Sequence, residues 1–221
     1  MKTSIARKVL MALSGFFLLL FLLQHFVINF SSVISVEGFN KVSHFMGTNP
    51  IIQYGIQPIL LIGVLFHLGM GIYLDVANRK ARNVKYAMNK PGENSSWWSR
   101  NMIITGITIM LFLGLHFYDF WFPEINTKFI LGDMSGLNGH GEFRYWEELH
   151  HKFVDPIRVG IYCLSFVFLA LHLLHGFQSA FQSVGFNHTR YTPVIKKLGN
   201  IYAICIPLGF IFIAVYHYVS Q

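Results

Sequence analysis

The sequence predicts an all-α integral membrane protein, a bundle of five transmembrane helices with its N-terminus in the cytoplasm. Three observations carry this. Of 221 residues, 53% are apolar and 16% aromatic, while only 12% are charged, about half the usual share for soluble domains. The apolar residues gather into five runs, each long enough to span a bilayer as a helix of about 20 residues. Within those runs there is no period-2 alternation of the kind an outer-membrane strand needs, so helices are favoured over a barrel. The net charge of +7 raises the question of nucleic acid, but the scarce charges fall between apolar runs, and no nucleic-acid partner is expected.

The predicted helices cover residues 9–30, 53–77, 102–122, 157–181 and 194–219, within a single domain, 1–221. Lys2, Arg7 and Lys8 before the first run resemble a signal peptide. The run is longer than a usual signal core, though, and no A-x-A pattern follows it, so an uncleaved first helix is expected. The N-terminal segment, the loop 79–100 and the loop 190–197 hold 12 of the 17 Lys and Arg. Asp119, Glu124, Asp133, Glu142, Glu147, Glu148 and Asp155 belong to the long 119–155 connection on the other side. Basic loops stay in the cytoplasm, which places the C-terminus outside. Trp97, Trp98, Trp121 and Trp146 stand where helix ends meet the interface. Cys163 and Cys205 lie in apolar segments and form no CxxC or CxxCH, so they are read as apolar filler.

Ionisable residues inside a bilayer are costly and mark function. Each of the first four helices carries a histidine late in its course: His25, His67, His116, and His172 or His175. At about 1.5 Å per residue, His25 and His116 reach roughly 24 Å along outward-running helices, whereas His67 and His172 lie toward the cytoplasmic side. The histidines thus sort into an outer and an inner pair. Two stacked haem b groups require that arrangement, because each iron takes two axial imidazoles from different helices at one depth. Ser14 and Thr105 share the faces of His25 and His116, each 11 residues earlier; Gly63 and Gly71 flank His67 and are expected to leave room for a flat macrocycle; Ser165, Gly176 and Ser179 line the His172 face. That stripe favours His172 over His175. His44, His140, His150, His151, His188 and His217 are expected to be structural or solvated. A haem-free membrane transporter is the alternative from another class, although transporters place carboxylates at a midplane site and these helices hold almost none.

Several phrases resemble the membrane anchor of succinate dehydrogenases and fumarate reductases, in the form with one large cytochrome b subunit. They are LLQHFVINF around His25, EGFNKVSHFM after it, LLIGVLFHLGMGIY around His67, SSWWSRNMIITG entering helix three and LALHLLHGFQSAFQSVG in helix four. SRNM-x-x-TG and HGFQSAFQ are the most specific, and the likeness runs from about Ser4 to Val219. It implies five helices and two haems b, with His25 and His116 holding the outer (distal) iron and His67 and His172 the inner (proximal) iron. It further implies separate flavoprotein and iron–sulfur subunits on the cytoplasmic face of a bacterial inner membrane, and menaquinone as the membrane quinone. A glutamate that some relatives carry two residues before the fourth ligand is Ala170 here. The chain has no GxGxxG and no cysteine cluster for succinate oxidation of its own. Arg79, Lys80, Arg82, Lys85, Lys90 and Arg100 are candidates to hold the partner subunits or anionic lipid, and the complex is a candidate for higher oligomers. Near the outer haem, Asn29, His44, Gln53 and Tyr54 are candidates for the quinone. Within redox chemistry, the di-haem anchor of a hydrogenase or formate dehydrogenase is the alternative.

Overall fold

The computed structural model describes residues 4–80 and 102–221. Among the described residues, five helices are long and apolar enough to cross a membrane: Ile5–Ile34, Ile52–Lys80, Met102–Ile130, Pro156–Ser183 and Thr192–Val219. Extended pairing among them is confined to one bridge between Leu137 and Phe143.

The first spanning helix, α1 (Ser4–Ile34), stops at Ser35, whose extended backbone and side-chain acceptance from Gly38 N start a second helix, α2 (Val36–Thr48). Asn49 Oδ1 then accepts from Ile51 N, and a π-helical turn (Ile52–Ile56) leads into α3 (Gln57–Lys80). The third span begins as α4 (Met102–His116) and does not end near residue 122. It runs on through a π-turn (Phe117–Trp121), one α-helical turn (Phe122–Ile125) and a second π-turn (Asn126–Ile130). The charges that suggested a loop find polar or charged partners, with Arg158 Nε 3.5 Å from Asp119 Oδ2. Tyr162 Oη donates to Asp119 Oδ2 at 2.9 Å, and Lys128 Nζ lies 2.6 Å from Glu124 Oε1 and also donates to Gly47 O. Burial of paired charges removes the objection to a helical path.

After the 131–144 loop come a short helix, α5 (Tyr145–Lys152), and then α6 (Pro156–Ser183) and α7 (Thr192–Val219). Asp155 caps α6 by accepting from Ile157 N, with Pro156 in the first turn, where its missing N–H costs nothing. At the other end Gly185, at φ 93°, lets Phe186 N donate to Phe181 O and Gly185 N to Gln182 O. This is the double closure that a left-handed C-terminal glycine permits. Of the sequence-predicted 79–100 loop, Arg79 and Lys80 belong to the last turn of α3, and the rest, with Trp97, Trp98, Arg82, Lys85, Lys90 and Arg100, lies outside the described residues.

Four spans form a ring. Helix α1 packs on α3 and α6, and α4 packs on α3 and α6, while α7 lies outside against α1 and α6. The diagonal backbones, α1 to α4 and α3 to α6, barely approach, which leaves the centre of the ring to side chains. The aromatic core sits at one end, where Phe39, Leu149, Phe153, Tyr162, Phe166 and Phe210 are buried beneath α2 and α5. Around the outside, Leu20, Ile62, Leu65, Leu111, Leu164 and Leu208 are exposed, as a lipid-facing surface requires.

Candidate functional site

The ring places the four histidines across its two diagonals. His25 of α1 meets His116 of α4, with ring centroids 5.8 Å apart and planes at 87°. His67 of α3 meets His172 of α6, at 6.4 Å and 66°. It is His172, not His175, that faces His67. The two levels are fixed by a second contact. Ser14 Oγ lies 3.0 Å from His67 Nδ1, and Thr105 Oγ1 lies 3.1 Å from His172 Nδ1. Ser14 and Thr105 each stand 11 residues before the other pair's histidine on the same helix, so the pairs lie about 16 Å apart along the bundle.

Those hydroxyls also settle which ring nitrogen is free. Ser14 gives its one hydroxyl proton to Met11 O at 2.8 Å, and Thr105 gives its own to Met102 O at 2.9 Å. Each hydroxyl oxygen therefore accepts from the imidazole, which fixes Nδ1–H and leaves Nε2 with its lone pair. The next residue is glycine in both helices, and Gly15 and Gly106 lie beneath the His67 and His172 rings. The sequence thus carries a repeated [ST]-G-x9-H pattern on α1 and α4, a signal that reading each helix separately missed. Gly63 and Gly71 behave otherwise than expected. A methyl at Gly63 would strike the Phe17 ring, so Gly63 serves the close approach of α1 to α3, while one at Gly71 would meet Met11 at ordinary contact distance.

The upper level, nearer α2, is built differently. Phe21, Phe112, Phe120 and Phe210 surround His25 and His116. His116 Nδ1 is buried without a hydrogen-bond partner. Asn29 donates to His25 O at 2.8 Å and lies near the ring nitrogens. One turn beyond His116, Asp119 is buried, bonded to Tyr162 and 3.5 Å from Arg158 Nε, with Oδ1 unpartnered. Its charge compensation is a feature sequence reading did not supply.

The four quinone candidates are spread out. Asn29 lies on His25. His44 packs on Phe143 at 4.5 Å, with Nδ1 3.4 Å from Tyr145 Oη. Gln53 Nε2 donates to Met46 O at 3.1 Å, which pins α2 to the start of the second span. Tyr54 is exposed, its ring edge toward Phe129. Beside them, Arg144 bridges Glu124 at 2.5 Å and Glu148 at 2.6 Å. Burial works against the Arg144 charge, but hydrogen bonds to Glu124 and Glu148 outweigh it and hold the guanidinium above its ordinary range. Burial, followed by the Glu124 charge, pushes the Tyr145 phenol up to about 12.

Two imidazoles holding one metal ion from opposite sides, each nitrogen about 2 Å from it, have ring centroids about 6 Å apart. Both pairs have that separation, and at the lower level the free nitrogen is fixed by hydrogen bonding. Among the described residues, no group of three or more His, Cys, Asp or Glu converges. The donors meet in twos, a set that suits a metal whose remaining positions are filled by a planar ligand.

The succinate dehydrogenase cytochrome b558 subunit of Bacillus subtilis (strain 168) is 28% identical to this chain over 102 residues, 45% of this chain and 46% of that protein. The chain is distantly similar to a succinate dehydrogenase cytochrome b subunit. The match spans about half the length of either protein. No family model matches the sequence, and no solved structure matches it.

Proposed function

We propose that this chain is the di-haem cytochrome b anchor of a succinate:quinone oxidoreductase in a bacterial cytoplasmic membrane. It passes electrons between an iron–sulfur subunit and membrane quinone, with menaquinone the expected species. His25 and His116 would hold one haem b, and His67 and His172 the other. Each haem, when bound, supplies a one-electron iron couple. The observation that carries the reading is the pairing of imidazoles at two levels about 16 Å apart, with Ser14 and Thr105 fixing the lower tautomers.

The chain's own residues supply the surroundings. Ser14 and Thr105 orient their imidazoles and raise their basicity by accepting Nδ1–H. Phenylalanines at the upper level keep water away and lower the local dielectric. Flavoprotein and iron–sulfur subunits dock on the face carrying the 79–100 loop, and quinone reacts near His25 and His116. Likeness to the cytochrome b558 subunit supports the anchor role.

Replacing each histidine in turn tests the assignment. His25→Ala and His116→Ala should remove one and the same spectral centre, while His67→Ala and His172→Ala remove the other. Loss of both centres from every variant, in preparations that still contain the folded chain, would contradict it.

A further inference from the structure

At the α2 and α5 end of the bundle, the sequence suggests a solvated or structural histidine at position 217. The structure encloses His217 completely, between α1, α5 and the end of α7. His217 Nε2 lies 2.9 Å from Ser32 Oγ, and His217 Nδ1 lies 3.3 Å from His150 Nδ1. Trp146 stacks on the His150 ring at 4.8 Å and 9°, and its Nε1 donates to Ser32 O at 2.9 Å. We propose that His150 and His217 form a proton-binding pair coupled to reduction of the centre between His25 and His116. The proposal rests on the haem reading above.

Hydrogen-bond direction fixes the pair's capacity. Ser32 gives its one hydroxyl proton to Asn29 O at 2.6 Å, so its oxygen accepts from His217 Nε2–H. Neutral His217 then has its lone pair on Nδ1, and His150 Nδ1–H donates to it. His150 Nε2 is left as the basic atom, on a half-buried residue that solvent reaches. One added proton makes the inter-histidine bond charge-assisted, and the face of Trp146 favours positive charge on the ring it covers. A second proton would set two N–H groups against each other. The pair therefore holds one.

Nearby charges do not satisfy that proton. On α5, Glu148 is engaged by Arg144 and Glu147 accepts from Asn138, while His151 is exposed and Lys152 half-buried at the helix end. Helix α1 presents Ser32 and α7 presents the Tyr216 ring. Phe153 covers His217 from the start of the α6 connection, and Arg158 of α6 turns to Asp119.

Ser32 bonds to Asn29, and Asn29 to His25 O, so Ser32, on which the pair rests, lies two helical turns, about 10 Å, along α1 from His25. At about 10–15 Å near a protein surface, one unit charge shifts the equilibrium of another by roughly fivefold to tenfold. With a haem bound between His25 and His116, one electron gained there from its neighbour or from quinol would be matched by one proton taken from water onto His150 Nε2. Both leave on reoxidation, and only an N–H bond is made and broken.

Potentiometric titration of the purified complex between about pH 5.5 and 8.5, the range in which histidine titrates, tests this. In the wild type, the potential of the centre that His25→Ala abolishes should fall as pH rises, and a pH-indicator dye should report proton uptake on reduction. In His150→Asn that slope and uptake should be lost, and in His217→Gln, where an amide oxygen replaces the imidazole acceptor, they should be reduced, with the His67–His172 centre unchanged. If His217→Gln does not assemble, His150→Asn decides, because its site is half-exposed. A slope that survives in His150→Asn, or one absent from the wild type, overturns the proposal while leaving the two-haem reading intact. A wild type with no b haem overturns that reading, and this one with it.

Discussion

Ser14 and Thr105 are the residues whose replacement speaks most directly to the lower pair. Ser14→Ala leaves His67 Nδ1–H without its acceptor, and Thr105→Val does the same to His172. An unsatisfied buried donor costs roughly 1–3 kcal/mol. Each variant should lower stability by that order and alter the spectrum of the His67–His172 centre alone, as thermal unfolding and low-temperature absorption spectra would register. Equal changes at both centres would count against the two-level arrangement.

Tyr145 gives a pH prediction at the same scale. Its phenol is pushed up to about 12 in the folded chain, against about 10 when unfolded. A proton held more tightly in the folded state stabilises it below pH 10, and that contribution is lost as pH rises from about 10 to 12. Tyr145→Phe should therefore unfold with a flatter pH dependence in that window than the wild type. An unchanged profile would mean that the phenol is not held as described.

Individual histidines were legible from the sequence because an ionisable group in an apolar run stands out. The partners were not: Ser14 and Thr105 reach the adjacent helix, not their own helix's histidine. His217, at the end of a helix, is expected from the sequence to be structural or solvated; that α5 folds over it from 67 residues away is what the sequence does not show.

Among the elements, α7 is held by notches. A methyl at Gly209 would overlap the Phe26 ring, and one at Gly199 would come within 2.6 Å of Phe177. Gly209→Ala must displace the Phe26 ring or push α7 away from α1. Overpacking of this kind costs about 1–3 kcal/mol, measurable by denaturant unfolding in detergent. Gly114→Ala, where a methyl meets nothing within 4 Å, should be close to neutral and serves as the control. Similar losses from both would remove the packing explanation.

The ion cluster beyond the third span behaves as a clasp. Arg144 ties the 131–144 loop to Glu124 on the helical extension and to Glu148 on α5. Arg144→Gln leaves Glu124 with Lys128 as its remaining partner and takes the guanidinium from Glu148, which is half exposed; the loss should be about 1 kcal/mol, well below the figure for breaking a fully buried pair. Hydrogen exchange should quicken in the 131–144 loop and not in α6. The five apolar runs were readable in the sequence to within a few residues at most ends. The extension to Ile130 was not, because Asp119, Glu124 and Lys128 break the apolar pattern and their partners lie on α6, in the 131–144 loop and on α2.

At the scale of the whole molecule, the ring of four spans puts histidines from opposite helices face to face at two levels, and α7 closes one side. Sequence alone gave the two depths from helix direction and residue count. It did not give the diagonal geometry, because which helices are neighbours depends on packing, in which Gly63 receives Phe17. The excess of basic residues at 79–100 and 190–197 predicts that this end faces the cytoplasm. Cysteine introduced at Asn138 should then react with a membrane-impermeant maleimide from outside intact cells, and cysteine at Thr189 should not. The reverse pattern would invert the topology and move the partner-docking face.

The central claim is that two pairs of imidazoles each hold a haem. The measurement that meets it most directly is pyridine haemochrome quantitation of the purified chain or complex, read with its reduced-minus-oxidised spectrum. Two haems b per chain is the predicted result. One haem would leave one pair without its role. None, in folded protein from cells supplied with iron, would contradict the account.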